Sequence, residues 1–314
     1  TYSHMSNPHS EALVLEARAK VNLCLAISYP PVDGYHPLRS VFQELDLHDV
    51  VRVHIEPGVA AQALQTQAGT HVLLTCDVDG LNPRDNLVFR AVDAAEQACG
   101  HAAAASDATL VIEVEKHIPA GGGLGGGSSD AAATLKAYAQ LVDIPVHDER
   151  LVAVARALGA DVAFFLYGGC ALMGGRGDVF ECSLPPLAAP IVLMGSDDGL
   201  STATVYRAFD DDPEPAPDAD ALARALRMAT DDTAAIAALC ANNLGPAACA
   251  ADPRIQQRLH AAHEHPDVLN ALVSGSGSTS FAICADEAGA QRFAHDIAPV
   301  CDWVRICRVP RIAA

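Results

Sequence analysis

The stretch IPAGGGLGGGSSDAAATL, residues 118–135, sets six glycines in the seven positions 121–127, then two serines, an aspartate and an alanine-rich run. Glycine loses more backbone freedom on folding than any other residue, so this density is costly and calls for a use that bare main chain serves. Before the loop, TLVIEVE (109–115) alternates apolar and polar residues and predicts a strand. After it, 129–142 predicts a helix of high alanine content. A helix N-terminus offers unpaired N–H groups and about half a positive charge, and glycines let the chain curl round an anion with no Cβ in the way. The order strand, glycine loop, helix therefore reads as a phosphate cradle. A flexible linker would not be flanked so tightly. A Walker A loop needs a lysine after the glycines, and none follows. Gly121, Gly123 and Gly126 can be fitted to G-x-G-x-x-G, but no second nucleotide-binding half follows.

Outward from the loop, the N-terminal part alternates short apolar runs with turns. Ala12–Ala19, Val21–Ser28, Val41–Leu47, Val50–Ile55 and Val72–Cys76 predict strands, with a turn cluster PPVDGYHP at 30–37. Leu87–Cys99 predicts a helix with Asp85 or Asn86 as its N-cap, and Asp148–Leu158 predicts another. Val162–Tyr167 and Cys170–Met173 are apolar. The acidic, proline-rich DDDPEPAPDAD (210–220) reads as a surface excursion. Helices are predicted at Ala219–Ala229, Thr233–Leu239, Arg254–Glu264 and Glu287–Ile297, and strands at Val268–Ser274, Ser280–Ala285 and Trp303–Val309. No repeat is visible, and the irregular mixture makes the fold class α+β.

The 314 residues favour two domains. Thirty-nine acidic against 20 basic side chains give a formal charge of −19, which disfavours nucleic acid as a partner but leaves room for a locally positive site binding a small anion. No run of apolar residues is long enough for a membrane span, and the N-terminus carries no basic region followed by an apolar stretch. Ser3-His4-Met5 reads as a cloning remnant, and residues 1 to about 10 are left out of the fold reasoning. The ten scattered cysteines form no C-x-x-C pair and read as reduced, mostly buried thiols of a cytoplasmic protein.

The stretch 119–131 follows the pattern P-x-G-x-G-L-G-x-S-S-x-A with one glycine more before the serines, and on it the chain resembles the GHMP kinase superfamily. Six further stretches resemble one of its families, the 4-diphosphocytidyl-2-C-methyl-D-erythritol kinases. They are ARAKVNLCLAI (17–27), DGYHPLRSVFQELDLHDVV (33–51), DNLV (85–88), LGADVAFFLYGGCALMGGRGD (158–178), STATVYRAFD (201–210) and SGSGSTSFAI (274–283), in family order. The resemblance implies a two-domain fold, a ribosomal protein S5 domain 2-like N-terminal domain plus a GHMP kinase C-terminal domain. Here these would be 11–175, binding ATP, and 176–314, binding the second substrate, with the active site in the cleft between them. It implies phosphorylation of the acceptor's C2 hydroxyl, with ATP and Mg²⁺ as cofactors, small molecules as the only substrates, and a monomer or homodimer.

A kinase needs a phosphate cradle, charge neutralisation, a base or positioner for the hydroxyl, and acceptor recognition. The loop, Pro119, Ala120, Gly121, Gly122, Gly123, Leu124, Gly125, Gly126, Gly127, Ser128 and Ser129, would supply the first. Ser128 or Ser129 would help hold the metal. Asp161 reads on spacing alone equally as a helix cap or a base; the resemblance makes it the base, with Lys20 as its partner. Lys20 by itself reads as a snorkelling surface residue. By resemblance, Asn86 and Lys116 lie near the adenosine, although Lys116 alone reads as a solvated strand end. Asn22, Tyr35, His36, Thr202 and Tyr206 would recognise the acceptor, with Tyr35 and Tyr206 on either face of the cytosine. Gly275-Ser276-Gly277 reads as a tight hairpin or, by resemblance, as a turn at the cleft. His260 and His263 share helical spacing without a third metal ligand in view. The rivals are another kinase of the superfamily, acting on homoserine or mevalonate, and a non-catalytic nucleotide-binding protein.

Overall fold

The protein is described by a computed structural model covering residues 12–77, 82–228 and 232–310. The expected domain ends 11 and 314, and Ala229 at the end of a predicted helix, lie outside the described residues. The chain opens with two long strands, β1 (Leu13–Ile27) and β2 (Leu38–Pro57), paired antiparallel. Each spans two of the predicted short strands. The polar residues that suggested breaks, Lys20 in β1 and Asp49 in β2, are buried inside continuous strands, as is Asn22. Then follow β3 (Leu64–Gln65), β4 (His71–Cys76), α1 (Leu87–Cys99), β5 (Ala108–Glu115), α2 (Gly126–Leu141), α3 (Glu149–Leu158), α4 (Ala160–Tyr167), β6 (Cys170–Gly174) and β7 (Val179–Leu184). The apolar run 162–167, unassigned from sequence, is the body of α4. The second part holds β8 (Ile191–Gly195), α5 (Thr202–Asp211), α6 (Ala219–Arg227), α7 (Thr233–Ala237), β9 (Ala241–Asn242), α8 (Gly245–Ala251), α9 (Pro253–Glu264), β10 (Val268–Val273), β11 (Ser280–Cys284), α10 (Glu287–Ile297) and β12 (Trp303–Cys307).

Two sheets carry the site. The larger runs β3-β4-β5-β2-β1-β9, with β6 pairing β2 and β7 pairing β6. The smaller is antiparallel in the order β10-β11-β8-β12. Strand pairing therefore carries the first sheet past the expected division at 175/176, as far as Leu184, and β9 returns to it much later. Alpha2 is packed on every side, with Ala131, Ala132, Ala133, Ala137 and Ala139 buried; small side chains let it sit centrally against α1, α4, β1 and β2.

Period-two alternation sorts the smaller sheet. Ile191, Leu193, Phe281 and Ile283 face a core shared with Ala19, Val21 and Leu23 of β1. Val192, Met194, Ala282 and Cys284 face the opposite core, under Ala262 of α9 and Phe293 of α10. Each large apolar side chain so buried is worth about 1.5–3 kcal/mol, and the shared core joins the two sheets. The acidic stretch is not wholly solvated: α5 extends to Asp211, the Asp218 side chain caps α6, and the Glu214 carbonyl accepts from Asn243 Nδ2 at 3.0 Å. Among the described residues no helix is long and apolar enough to cross a membrane.

Candidate active site

The glycine loop leaves β5 and ends as the first turn of α2. Gly121, Gly123 and Gly125 adopt φ of 70°, 74° and 77°, conformations that a Cβ disfavours. A Cβ on Gly123 would lie 2.4 Å from the Ser274 carbonyl oxygen and 3.0 Å from that of Gly277. The turn 275–277 is thus seated main chain to main chain against the loop, and Ser274 Oγ donates to the Gly123 carbonyl at 3.1 Å. The turn 275–277 joins the antiparallel strands β10 and β11, as the hairpin reading expects.

Pro119, Ala120, Gly121–Gly127 and Ser128 line one cavity of about 470 Å³ together with Asn86, Lys116 and Asp130. Asn86 also caps α1, its Oδ1 accepting from the Val88 N–H at 2.9 Å. Ser129, expected beside Ser128, is buried and lines no part of this cavity; its N–H donates to the Gly125 carbonyl. Lys116 is not a solvated strand end. Its Nζ binds Asp130 Oδ2 at 2.6 Å and pairs with Asp49 Oδ2. Burial works against the Lys116 charge, but Asp130 and Asp49 outweigh it and hold the ammonium above its ordinary range. Burial pushes the Asp130 carboxyl up to about 7, with Asp49 adding to the rise and Lys116 opposing it.

Lys20 and Asn22 sit between two register shifts in the β1–β2 ladder, Arg18/Lys20 and Asn22/Cys24. Such irregularities re-aim side chains out of a regular pleat. Lys20 is buried rather than snorkelling. Its Nζ donates to Asn22 Oδ1 at 2.8 Å, lies 3.4 Å from Asp161 Oδ2 and stands 5.2 Å from the centre of the Phe42 ring. Asn22 donates in turn to Ser40 Oγ at 2.9 Å. The Lys20 N–H donates to the Leu124 carbonyl at 2.9 Å, tying the strand to the loop. Asp161 lies in the first turn of α4, where the helix dipole favours a carboxylate.

A second cavity, about 640 Å³, is lined by Tyr35, His36, Gly159, Ala160 and Tyr206 among others. The His36 and Tyr206 ring centres are 5.3 Å apart, and His36 Nε2 lies 2.7 Å from Asp210 Oδ1. Tyr35 is 58 % exposed, with the Arg176 guanidinium 4.9 Å from its ring centre. Burial, then the Asp161 charge, push the Tyr206 hydroxyl up to about 12, which couples this cavity electrostatically to Asp161. Thr202 Oγ1 and Ser276 Oγ are 3.0 Å apart, linking the start of α5 to the 275–277 turn. Sequence reasoning missed the arginines here. Arg156, Arg176 and Arg207 line the cavity, and buried Asp178 holds Arg156 Nε at 3.2 Å and Arg176 at 3.6 Å. The signal was the run Gly175-Arg176-Gly177-Asp178, quoted without a role.

His260 and His263 lie on α9 outside both cavities, and His260 faces Glu264 at 3.6 Å. Among the described residues no group of three or more His, Cys, Asp or Glu is placed to hold a metal. Burial pushes the Cys24, Cys170 and Cys284 thiols up to about 12, in keeping with packing roles.

Comparisons with known proteins place the chain in a family. The GHMP kinases N terminal domain model matches residues 86–169, and the GHMP kinases C terminal model matches 218–300. A 4-diphosphocytidyl-2-C-methyl-D-erythritol kinase of Pelotomaculum thermopropionicum is 37% identical over 280 residues, 88% of this chain and 91% of that protein. A kinase of the same name from Nocardioides sp. is 38% identical over 287 residues, 90% and 92% of the two chains. The crystal structure of a 4-(cytidine 5'-diphospho)-2C-methyl-D-erythritol kinase superposes with a TM-score of 0.71 at 31% identity, over 94% of this chain and 99% of that one.

Proposed function

Because the chain belongs to the 4-diphosphocytidyl-2-C-methyl-D-erythritol kinase family of the GHMP kinases, we propose how its own residues divide that family's reaction. The γ-phosphoryl of ATP passes to the C2 hydroxyl of 4-diphosphocytidyl-2-C-methyl-D-erythritol, giving the 2-phosphate and ADP in non-mevalonate isoprenoid synthesis. The observation that carries the assignment is the position of the Lys20–Asp161 pair. The Lys20 main chain is bonded to the glycine loop on one side, and on the other Asp161 directly follows Gly159 and Ala160, which line the Tyr206 cavity.

In this reading ATP lies in the glycine-loop cavity. Main-chain N–H groups of 121–128 and the start of α2 face its phosphates, and Asn86 and Lys116 face the nucleoside. Mg²⁺, the cofactor such chemistry uses, fits the hydroxyl donor Ser128 on the cavity wall together with the phosphate oxygens, and supplies charge neutralisation when bound. The acceptor lies in the second cavity. Tyr35 and Tyr206 flank the cytosine, His36 reads its edge, and Asn22, Thr202 and Gly275-Ser276-Gly277 shape the polyol end. Arg156 and Arg176 supply the positive charge that a diphosphate requires on a chain of net charge −19. Asp161 takes the hydroxyl proton as the oxygen attacks, and Lys20 orients Asp161 and offsets the charge that builds up. ATP-side residues fall before the expected division near 175, whereas the acceptor cavity draws on both halves.

The test is ADP release with Mg-ATP across 4-diphosphocytidyl-2-C-methyl-D-erythritol, the polyol without cytidine, homoserine and mevalonate, each repeated with Asp161→Asn. Turnover of the cytidylated polyol alone, lost in the variant, is expected. Turnover of another acceptor would discard the roles given to Tyr35, His36 and Tyr206.

A further inference from the structure

Asp49 lies in a stretch that carries the family resemblance and pairs with Lys116 behind the wall of the glycine-loop cavity. Its exposure is 0 %, in the middle of β2. Oδ1 accepts from the main-chain N–H groups of His117 at 2.5 Å and Ile118 at 2.8 Å; Oδ2 pairs with Lys116. Lys116 reaches on to Asp130 in α2. The loop thus departs from residues held by Asp49 and enters a helix held by Asp130, and a single ammonium joins the two ends. A carboxylate this deep is tolerable only when its oxygens are filled by donors and a cation. Asp49 itself is absent from the cavity wall, whereas Lys116 and Asp130 lie on it.

We propose that Asp49 is a positioning residue for the nucleotide: through the main chain of 117–118 and through Lys116 it fixes the shape of the glycine loop before ATP arrives. The loop has almost no side chains with which to hold itself, so its order has to come from its ends. The inference rests on the reading that ATP occupies the glycine-loop cavity.

The test compares wild type, Asp49→Asn and Gly127→Phe. Asparagine keeps the shape of Asp49 but loses the charge facing Lys116. Gly127 lines the cavity with no left-handed φ, and a Cβ there meets only Leu87 at 3.9 Å, so a phenylalanine fills the ATP space without straining the backbone. The readouts are the KM values for ATP and acceptor, kcat, equilibrium binding of a non-hydrolysable ATP analogue, and thermal unfolding. The proposal expects Asp49→Asn to raise the ATP KM and the analogue Kd about tenfold, with the acceptor KM held within about twofold. A lower melting temperature with unchanged nucleotide constants would make Asp49 a strut and overturn it. Equal rises in both KM values would also overturn it. If Gly127→Phe abolishes analogue binding while Asp49→Asn leaves it intact, the positioning role fails and the ATP site stands. Analogue binding undisturbed in Gly127→Phe would overturn the ATP site and the proposal with it. Should Asp49→Asn not be recovered folded, Asp130→Asn breaks the other end of the same bridge: a selective rise in ATP KM supports the proposal, and an unchanged one overturns it.

Discussion

Replacing Gly123 by alanine tests the joint between the two glycine turns. Two costs add at that position. The residue sits at φ 74°, and a left-handed conformation costs an L residue about 1–2 kcal/mol. The new methyl would also stand 2.4 Å from the Ser274 carbonyl oxygen and 3.0 Å from that of Gly277. Both are backbone atoms, so no rotamer change relieves the overlap, and overpacking of this kind adds about 1–3 kcal/mol. The expected loss is about 2–5 kcal/mol. Gly121→Ala is the matched control: φ is 70°, but the nearest atom to a Cβ is Gly199 Cα at 3.5 Å, an ordinary contact. It should show only the conformational cost, about 1–2 kcal/mol. Urea unfolding of both variants, read beside kcat, separates the two costs. If Gly123→Ala is no worse than Gly121→Ala, the turns do not touch in solution and the geometry argued for the cleft is wrong.

The other expectations concern chemistry, recognition and pH. Asp161→Asn should lower kcat about a hundred- to ten-thousand-fold with little change in melting temperature, and Lys20→Ala should do likewise; near-wild-type kcat in both would remove them as a catalytic pair. Tyr206→Leu should raise the acceptor KM about tenfold or more and leave the ATP KM alone, and Arg176→Ala should act in the same sense. Identical acceptor KM values in these two would place the cytidine diphosphate elsewhere. The Asp130 carboxyl, raised to about 7 mainly by burial, gives a signed pH effect. Between about pH 4 and pH 7 the folded protein holds a proton that the unfolded chain has released, so stability falls as pH rises through that window. Asp130→Asn should flatten that slope, and equal slopes in variant and wild type would refute the assignment.

The elements legible from sequence were those with local signals. Alpha1 and α10 fall where expected because Asn86 and Asp286 cap them and their apolar spacing is uninterrupted. The long β1 and β2 each looked like two strands because Lys20 and Asp49 are polar residues buried for tertiary reasons, and a strand pattern cannot tell such a residue from a break. Alpha5 was missed as an element because STATVYRAFD opens with β-branched and small residues; Ser201 caps it. The place of the glycine loop between a strand and a helix was readable from its own chemistry, and the nearness of Lys20 to Asp161 from resemblance. Asp49 was not, since its partners His117 and Ile118 lie 68 and 69 residues away and are main-chain groups without a sequence signature. The arginines around Asp178 were hidden for a similar reason: only the fold brings Arg156 into the cavity that Tyr35 also lines.

The close approach of Gly123 to Ser274 and Gly277 is made by peptide atoms, 151 and 154 residues apart along the chain. A joint of that kind depends on few side chains, the Ser274 hydroxyl among them. The surfaces of either half are free to diverge while the seam stays the same, provided the small residues that form it persist. Chimaeras that exchange the segment around 274–279 between relatives sharing those glycines should meet no mismatch at the seam, and whatever incompatibility such hybrids show would arise in the side-chain core that joins the two sheets.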